Sequence, residues 1–318
     1  MFLAHKLCRS SKINKNIHIN INKIYKMNFA CKRMGVNPLI QPNEAIDMLQ
    51  DRNVRFVDAS WHMDKTRDAK KEYSNERIPG AVHFCIDEIS DKTNDLPHML
   101  PTSERFSTAL SEFQINPMTH VVVYGTNNCV SVARVWYMFH LFGHDKVSIL
   151  DGGLMDWIDA GGPVSEGGEP DEPPIIKSNN TNSNSDSNSD SNSDSKKSIY
   201  NVMKNHEYVV SSMDVLKVVQ TGTCQIVDAR SSARFNGTVE EPRAGLEKLV
   251  SSTNTCKFND INIIKDVIMN NGVILGSKVI FTCGSGVTAA ITQFALYLLG
   301  QRELNKLPIY DGSWSEWG

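Results

Sequence analysis

The chain has 318 residues and a formal net charge of -3, with 33 Lys and Arg residues against 36 Asp and Glu residues. This length allows two domains of ordinary size, and no apolar run approaches the roughly 20 residues that a membrane-spanning helix requires. The seven cysteines are odd in number and form no C-x-x-C pair, which argues against a disulfide framework and a structural zinc site. A reducing compartment fits this pattern best, and we predict no metal site and no membrane association.

The first 43 residues contain eight Lys and Arg residues and no Asp or Glu. A basic leader without acidic residues is typical of a mitochondrial presequence, which we predict over residues 1–36, with the mature protein in the matrix. The alternative is a disordered leader on a cytoplasmic protein. The rest of the chain carries 33 − 8 = 25 basic residues against 36 acidic ones, so no nucleic-acid-binding surface is expected.

Short apolar runs alternate with helical stretches and predict buried parallel strands. The first half has runs at residues 54–59, 120–124 and 148–150, with a helical stretch at 134–142. The second half repeats this outline with runs at 225–230, 278–282 and 307–310, and a helical stretch at 289–299. We therefore predict an α/β fold with two tandem domains, over residues 37–165 and 201–318. Each domain is expected to be an open, mostly parallel sheet with helices on both faces.

A linker is predicted over residues 166–200. Residues 178–195 contain only Ser, Asn, Asp and one Thr, a composition that cannot bury a hydrophobic core. The second domain is also short: Asp58 to Tyr124 spans 124 − 58 = 66 positions, whereas Asp228 to Thr282 spans 282 − 228 = 54. We predict that a strand or its lead-in is missing from this interval in the second domain.

Cys283 is the candidate nucleophile. It follows an apolar strand and begins a Gly-rich loop that leads into a helix, at the edge of the sheet where α/β proteins place their sites. Backbone N–H groups of such a loop and the positive end of the helix stabilise anionic sulfur, the form that attacks. The alternative is a buried, inert cysteine. The loop does not favour a cysteine phosphatase, because Ala289 stands where such an enzyme needs an Arg.

The loop from Cys283 to Thr288 resembles the active-site loop of mercaptopyruvate sulfurtransferases of the rhodanese superfamily. The resemblance extends over about residues 37–318. Further motifs that carry it are Asp58-Ala59-Ser60-Trp61, Arg77-Ile78-Pro79-Gly80-Ala81, His98-Met99-Leu100-Pro101, Asp228-Ala229-Arg230, Arg234-Phe235-Asn236-Gly237, Glu241-Pro242-Arg243 and Tyr310-Asp311-Gly312-Ser313-Trp314. It implies two rhodanese-like domains, the first non-catalytic and the second catalytic, and no cofactor.

The resemblance also implies roles for individual residues. Arg234 and Arg243 match the two arginines that hold the carboxylate and carbonyl of the substrate, to which a guanidinium fork is suited. Asp87, His98 and Ser285 match a proposed proton relay, whose members come from both halves of the chain and so place the site between the domains. The predicted substrate-binding residues are completed by the loop positions Gly284, Gly286, Val287 and Thr288.

The function that follows is transfer of sulfur from 3-mercaptopyruvate to a thiol acceptor such as thioredoxin, or to cyanide, through a Cys283 persulfide with release of pyruvate. Uncharged Gly284 and Ser285 favour this donor, because thiosulfate sulfurtransferases carry basic residues there. Two alternatives remain: a thiosulfate sulfurtransferase, and a weak or inactive protein that binds and relays persulfide sulfur. Cys129 is predicted to be non-catalytic, and the protein to be a monomer or weak dimer.

Overall fold

The computed structural model describes residues 36–167, 200–236, 249–250 and 256–318. The predicted leader lies outside the described residues except for its last position, and so does the low-complexity tract of the linker. Those two predictions and the exact domain boundaries therefore stay predictions. Among the described residues, no helix is long and apolar enough to cross a membrane.

The first domain is a five-stranded parallel sheet with helices on both faces. Its strands are β1 (Leu39–Ile40), β2 (Val54–Asp58), β4 (Val82–His83), β5 (His120–Tyr124) and β6 (Val147–Leu150), in the spatial order β1-β6-β5-β2-β4. A separate antiparallel pair joins β3 (Glu76–Arg77) to β7 (Ser165–Glu166). The helices are α1 (Pro42–Asp47), α2 (Ala69–Asn75), α3 (Ser103–Glu112), α4 (Val132–Leu141) and α5 (Gly153–Asp159).

The central strands read as continuous apolar runs because both faces of the sheet are covered. Along β5, Val122 and Tyr124 belong to one buried cluster, whereas Val121 and Val123 belong to the other. This alternation follows from the two-residue period of a strand. The first cluster packs against α1 and α5, and the second packs against α3 and α4.

The second domain repeats the arrangement on a smaller scale. Its strands β8 (Val209–Val210), β9 (Gln225–Asp228), β10 (Val279–Thr282) and β11 (Ile309–Tyr310) are parallel, in the order β8-β11-β10-β9. The helices are α6 (Ser212–Thr221), α7 (Ser232–Phe235), α8 (Ile261–Asn270), α9 (Ala289–Leu298) and α10 (Ser313–Trp317). Short 3-10 turns occupy His206–Tyr208 and Leu304–Lys306.

The described residues give this second sheet four strands against five in the first. In the first domain β4 pairs with β2, through Val57 with Val82 and Asp58 with His83. The strand equivalent to β2 is β9, and in the described part of the chain β9 pairs only with β10. A fifth strand would belong to the shortened interval, which includes residues 237–248 and 251–255 outside the described set.

The two domains share one hydrophobic core, formed where α4 packs against α9. Trp136 of α4 is fully buried, and its ring centroid lies 4.7 Å from that of Phe294 and 4.8 Å from that of Tyr297. Each of these helices follows the loop at the carboxyl end of its domain's central strand, β5 or β10. The packing therefore brings those two loops to the domain interface. The predicted architecture of two parallel-sheet α/β domains is confirmed.

Candidate active site

Cys283 is held at the carboxyl end of β10 by the chain that follows the neighbouring strand β11. Its backbone N–H donates to Oγ of Ser313 at 3.3 Å, and its carbonyl accepts the N–H of Trp314 at 3.0 Å. The next carbonyl, of Gly284, accepts both the N–H and the hydroxyl of Ser315, at 2.9 and 2.8 Å. Cys283 itself is 2% exposed. The backbone of Cys283 is therefore fixed, and the residue is almost fully shielded from solvent.

The loop after Cys283 presents unpaired backbone donors. In the described residues, the five N–H groups from Gly284 to Thr288 have no hydrogen-bond acceptor, and the loop runs directly into α9. Gly286 has a φ of +77°, a left-handed conformation that favours glycine. Gly286 and Val287 are buried, where N–H groups without a partner are rare, and a loop with several such groups at a helix N-terminus suits an anion. The loop can therefore receive an anionic sulfur or a carboxylate.

Arg234 reaches this loop from α7. A Cβ atom added to Gly284 would lie 3.2 Å from Nη2 and 3.5 Å from Nη1 of Arg234, so the guanidinium lies next to the residue that follows Cys283. A side chain at position 284 would require the guanidinium to shift by a few tenths of an ångström. The structure thus brings Arg234, Gly284 and Cys283 together, while Arg243 lies outside the described residues.

Asp87 and His98 form a hydrogen-bonded pair on the first domain. Nδ1 of His98 lies 2.5 Å from Oδ1 of Asp87, and Nε1 of Trp61 donates to Oδ2 of Asp87 at 2.8 Å. The hydrogen bond with His98 is the main cause that lowers the pKa of Asp87, with a smaller contribution from Trp61. An ionised Asp87 orients the imidazole. The Ser285 hydroxyl has no hydrogen-bond partner among the described residues, so the third member of the predicted relay is not joined to this pair.

Comparison with known proteins places this chain in a family. The rhodanese-like domain family matches residues 41–160. The 3-mercaptopyruvate sulfurtransferase of Escherichia coli K12 is 35% identical to the chain over 282 residues, which cover 85% of this chain and 91% of that protein. The chain belongs to the thiosulfate/3-mercaptopyruvate sulfurtransferase family. Thiosulfate/3-mercaptopyruvate sulfurtransferase 1 of Arabidopsis thaliana, a mitochondrial protein, is 36% identical to the chain over 282 residues. The alignment covers 85% of this chain and 73% of the Arabidopsis protein.

Solved structures agree with this membership. The crystal structure of SseA from Escherichia coli, which represents the rhodanese fold of 3-mercaptopyruvate sulfotransferases, aligns with a TM-score of 0.71 and 31% identity. The alignment covers 88% of this chain and 99% of that one. The two domains are therefore rhodanese-like, as predicted, and the chain is a sulfurtransferase enzyme that acts on a small-molecule substrate.

Residues at this candidate site that were not singled out from the sequence as site residues include Trp61, Ser313 and Asp311. Ser313 and Asp311 lie in the motif Tyr310-Asp311-Gly312-Ser313 at the end of β11, next to β10 in the sheet. Because carboxyl ends of adjacent parallel strands meet at one edge, this position was the signal that could have found them. Trp61 offered no comparable signal, since its contact with Asp87 depends on how two loops of the first domain fold.

Cys129, predicted to be non-catalytic, lies on the loop of the first domain that corresponds to the Cys283 loop. It is 1% exposed, and its thiol lies 3.1 Å from Oγ of Ser131. Burial raises the pKa of Cys129, but hydrogen bonds with Cys256 and Ser131 outweigh it and lower the value to about 6. Cys256, from the second domain, donates its thiol to the carbonyl of Thr126 at 3.2 Å. The sequence offered no reason to pair these two cysteines.

Proposed function

We propose that this enzyme transfers sulfur from 3-mercaptopyruvate to a thiol acceptor through a persulfide on Cys283, with release of pyruvate. The observation that carries the proposal is the uncharged loop with unpaired N–H groups, over which Arg234 supplies the positive charge. A guanidinium is a good partner for the carboxylate of an oxoacid. Curated relatives of Escherichia coli and Homo sapiens, 35% and 33% identical, bear the name 3-mercaptopyruvate sulfurtransferase.

In the first half-reaction, the thiolate of Cys283 attacks the sulfur atom of the substrate. A sulfur–sulfur bond forms, the carbon–sulfur bond breaks, and its electron pair leaves with the carbon as the enolate of pyruvate. The enolate takes up a proton to give pyruvate. The loop N–H groups stabilise the anionic outer sulfur of the persulfide, as oxyanion-hole donors stabilise oxygen anions.

We assign orientation and proton transfer to the residues opposite the loop. His98, oriented by Asp87, is the candidate proton donor to the departing enolate. Ser285 has a hydroxyl without a hydrogen-bond partner in the described part of the chain, so it is available to bond the substrate carbonyl once substrate is bound. Gly284, Gly286, Val287 and Thr288 supply the backbone of the binding loop, and Arg243 remains a proposed second carboxylate ligand.

In the second half-reaction, a thiolate attacks the outer sulfur of the persulfide and regenerates Cys283. A small dithiol protein such as thioredoxin is the proposed acceptor, and cyanide serves as a test acceptor. We propose a matrix location and a monomer or weak dimer on the sequence evidence given above. A double-displacement scheme of this kind predicts ping-pong kinetics.

Comparing sulfur donors tests the proposal. We expect the full chain, with dithiothreitol as acceptor, to use 3-mercaptopyruvate with a kcat/KM at least about 10-fold above that for thiosulfate, because the residues after Cys283 lack the charge that attracts a dianion. Pyruvate release and sulfite release measure the two reactions. A preference for thiosulfate would contradict the proposal and indicate a thiosulfate sulfurtransferase. If folded protein turned over neither donor, the remaining hypothesis would be a protein that binds or relays persulfide sulfur.

Substitution of Arg234 tests the carboxylate contact. We expect Arg234→Met to lower kcat/KM for 3-mercaptopyruvate about 10- to 100-fold, mainly through KM, because a charged hydrogen bond contributes about 1.5–3 kcal/mol. Arg234→Lys should lie between wild type and Met. Arg302→Met is the matched control, because Arg302 is exposed and stacks on Tyr297 away from the loop. Equal kinetics for Arg234→Met and the control would remove Arg234 from substrate binding.

A further inference from the structure

Arg134 is a fully buried arginine that contacts both domains at the active site. It lies in the first turn of α4, yet its guanidinium points across the interface. Nη1 donates to the carbonyl of Gly286 at 3.4 Å, and Nη2 donates to the carbonyl of His98 at 3.0 Å and to Oδ1 of Asp311. One side chain of the non-catalytic domain therefore holds the nucleophile loop and the backbone of the candidate proton donor.

Asp311 completes this arrangement from the second domain. It lies at the end of β11 and is 6% exposed, and its Oδ2 accepts the N–H of Leu100 at 2.9 Å. Leu100 follows His98 by two residues, so Asp311 and Arg134 anchor the same short segment of the first domain. The segment needs anchoring, because His98 has a φ of +59°, a conformation that residues other than glycine rarely adopt.

The contact with Gly286 sets the direction of a loop donor. In a trans peptide the C=O and the next N–H point in opposite directions, so fixing the Gly286 carbonyl also fixes the N–H of Val287. That N–H is one of the unpaired donors of the loop. Space around Gly286 is tight: an added Cβ would lie 3.1 Å from the carbonyl oxygen of Asp311 and 3.2 Å from Nη1 of Arg134. The loop therefore has little freedom to turn this peptide over.

Stability alone does not account for this buried pair. The free-energy cost of removing two charges from water offsets most of the energy of their attraction. Replacement of such pairs by apolar residues is therefore often neutral or stabilising. Nε of Arg134 also lacks a hydrogen-bond partner among the described residues, which adds to the desolvation cost. This buried ion pair contributes little to stability, and the remaining donors of Arg134 bind two carbonyls at the active site. Together these features indicate a role in positioning.

We propose that Arg134 is a positioning residue for sulfur transfer. Held by Asp311, it fixes the orientation of the Gly286–Val287 peptide relative to the backbone of His98 across the domain interface. This proposal rests on the proposed function for its kinetic consequence. Its geometric consequence, the orientation of loop donors beside the Cys283 sulfur, does not depend on which donor the enzyme uses.

The test uses Arg134→Met and Arg134→Lys in the full chain. We expect kcat for pyruvate release to fall about 10- to 100-fold in Arg134→Met, with KM for 3-mercaptopyruvate changed far less, because loop donors act most on the developing anion. Lys should restore little, since an ammonium group cannot reach three acceptors with a planar fork. Iodoacetamide labelling of Cys283 against pH gives a second readout, and its profile should move to higher pH in both variants.

Arg55→Met is the matched control. Arg55 is also buried in the first domain, and it donates to the carbonyl of Gly80, away from the loop. It should change thermal stability without moving the labelling profile or kcat. Folded Arg134 variants that keep the wild-type kcat and labelling profile would overturn the proposal. If wild-type protein released no pyruvate, the proposed function would fail, and the labelling profile would still decide the role of Arg134.

Discussion

Cys283→Ser is expected to lower pyruvate release from 3-mercaptopyruvate by at least about 10³-fold, whichever acceptor is present, because a serine hydroxyl is not ionised at neutral pH and forms no persulfide. Serine is close in size to cysteine, and the backbone of residue 283 is held by Ser313 and Trp314, so the fold should survive. Steady-state pyruvate release, measured beside circular dichroism of the same preparations, checks this expectation.

Cys129→Ser is the matched control for this loss. Cys129 is as buried as Cys283 and lies on the equivalent loop of the first domain, but its surroundings differ. It packs against Cys256 and Ser131, and Arg134 directs its guanidinium away to the loop of the second domain. Most of the wild-type rate should remain in Cys129→Ser. Loss of all activity in Cys129→Ser, with activity kept in Cys283→Ser, would show that the nucleophile lies in the first domain.

The largest loss of stability is expected at Trp136. Trp136→Ala removes a fully buried indole from the interface between α4 and α9, where it meets Phe294 and Tyr297. Large aromatic-to-alanine changes in a core cost about 3–5 kcal/mol, because the lost burial is accompanied by a cavity. We expect the free energy of unfolding, from urea titration followed by circular dichroism, to fall by about that amount.

Trp136→Phe separates packing from hydrogen bonding at the same position. Nε1 of Trp136 has no partner among the described residues, so the change removes an unpaired buried donor and keeps an aromatic ring. The loss should be smaller than for Trp136→Ala, because a phenyl ring leaves a smaller cavity than a methyl group does. Equal losses for the Ala and Phe variants would show that packing of an aromatic ring is not what stabilises this position. A loss under about 1 kcal/mol for Ala would show that the interface contributes little to stability.

The parts of the fold that local sequence determines were predictable. The runs that became β2, β5, β9 and β10 are apolar because both sheet faces are covered, and that pattern needs no knowledge of the partner elements. The loop at Cys283 was predictable for the same reason, since a strand, a cysteine, glycines and a helix follow one another directly in the chain.

The contacts between domains were not predictable from these patterns. The bonds from Arg134 to Gly286 and Asp311 join residues 152 and 177 positions apart, and they depend on how α4 packs against α9. The pairing of Cys129 with Cys256 likewise links two domains. Periodicity reports which face of an element is buried but not which distant side chain it meets. For the same reason, sequence alone could suggest Asp87, His98 and Ser285 as a relay without establishing that the third is joined to the first two.

The central claim is that sulfur passes through Cys283, and a single-turnover experiment tests it most directly. The full chain is mixed with an equimolar amount of 3-mercaptopyruvate and no added acceptor, because excess substrate is itself a thiol that could remove the persulfide sulfur. Pyruvate is counted while the mass of the peptide that contains Cys283 is measured. We predict one pyruvate per active chain and a mass gain of one sulfur atom on that peptide, which a reducing thiol reverses. Pyruvate release without sulfur on Cys283, or sulfur carried by another cysteine, would contradict this mechanism.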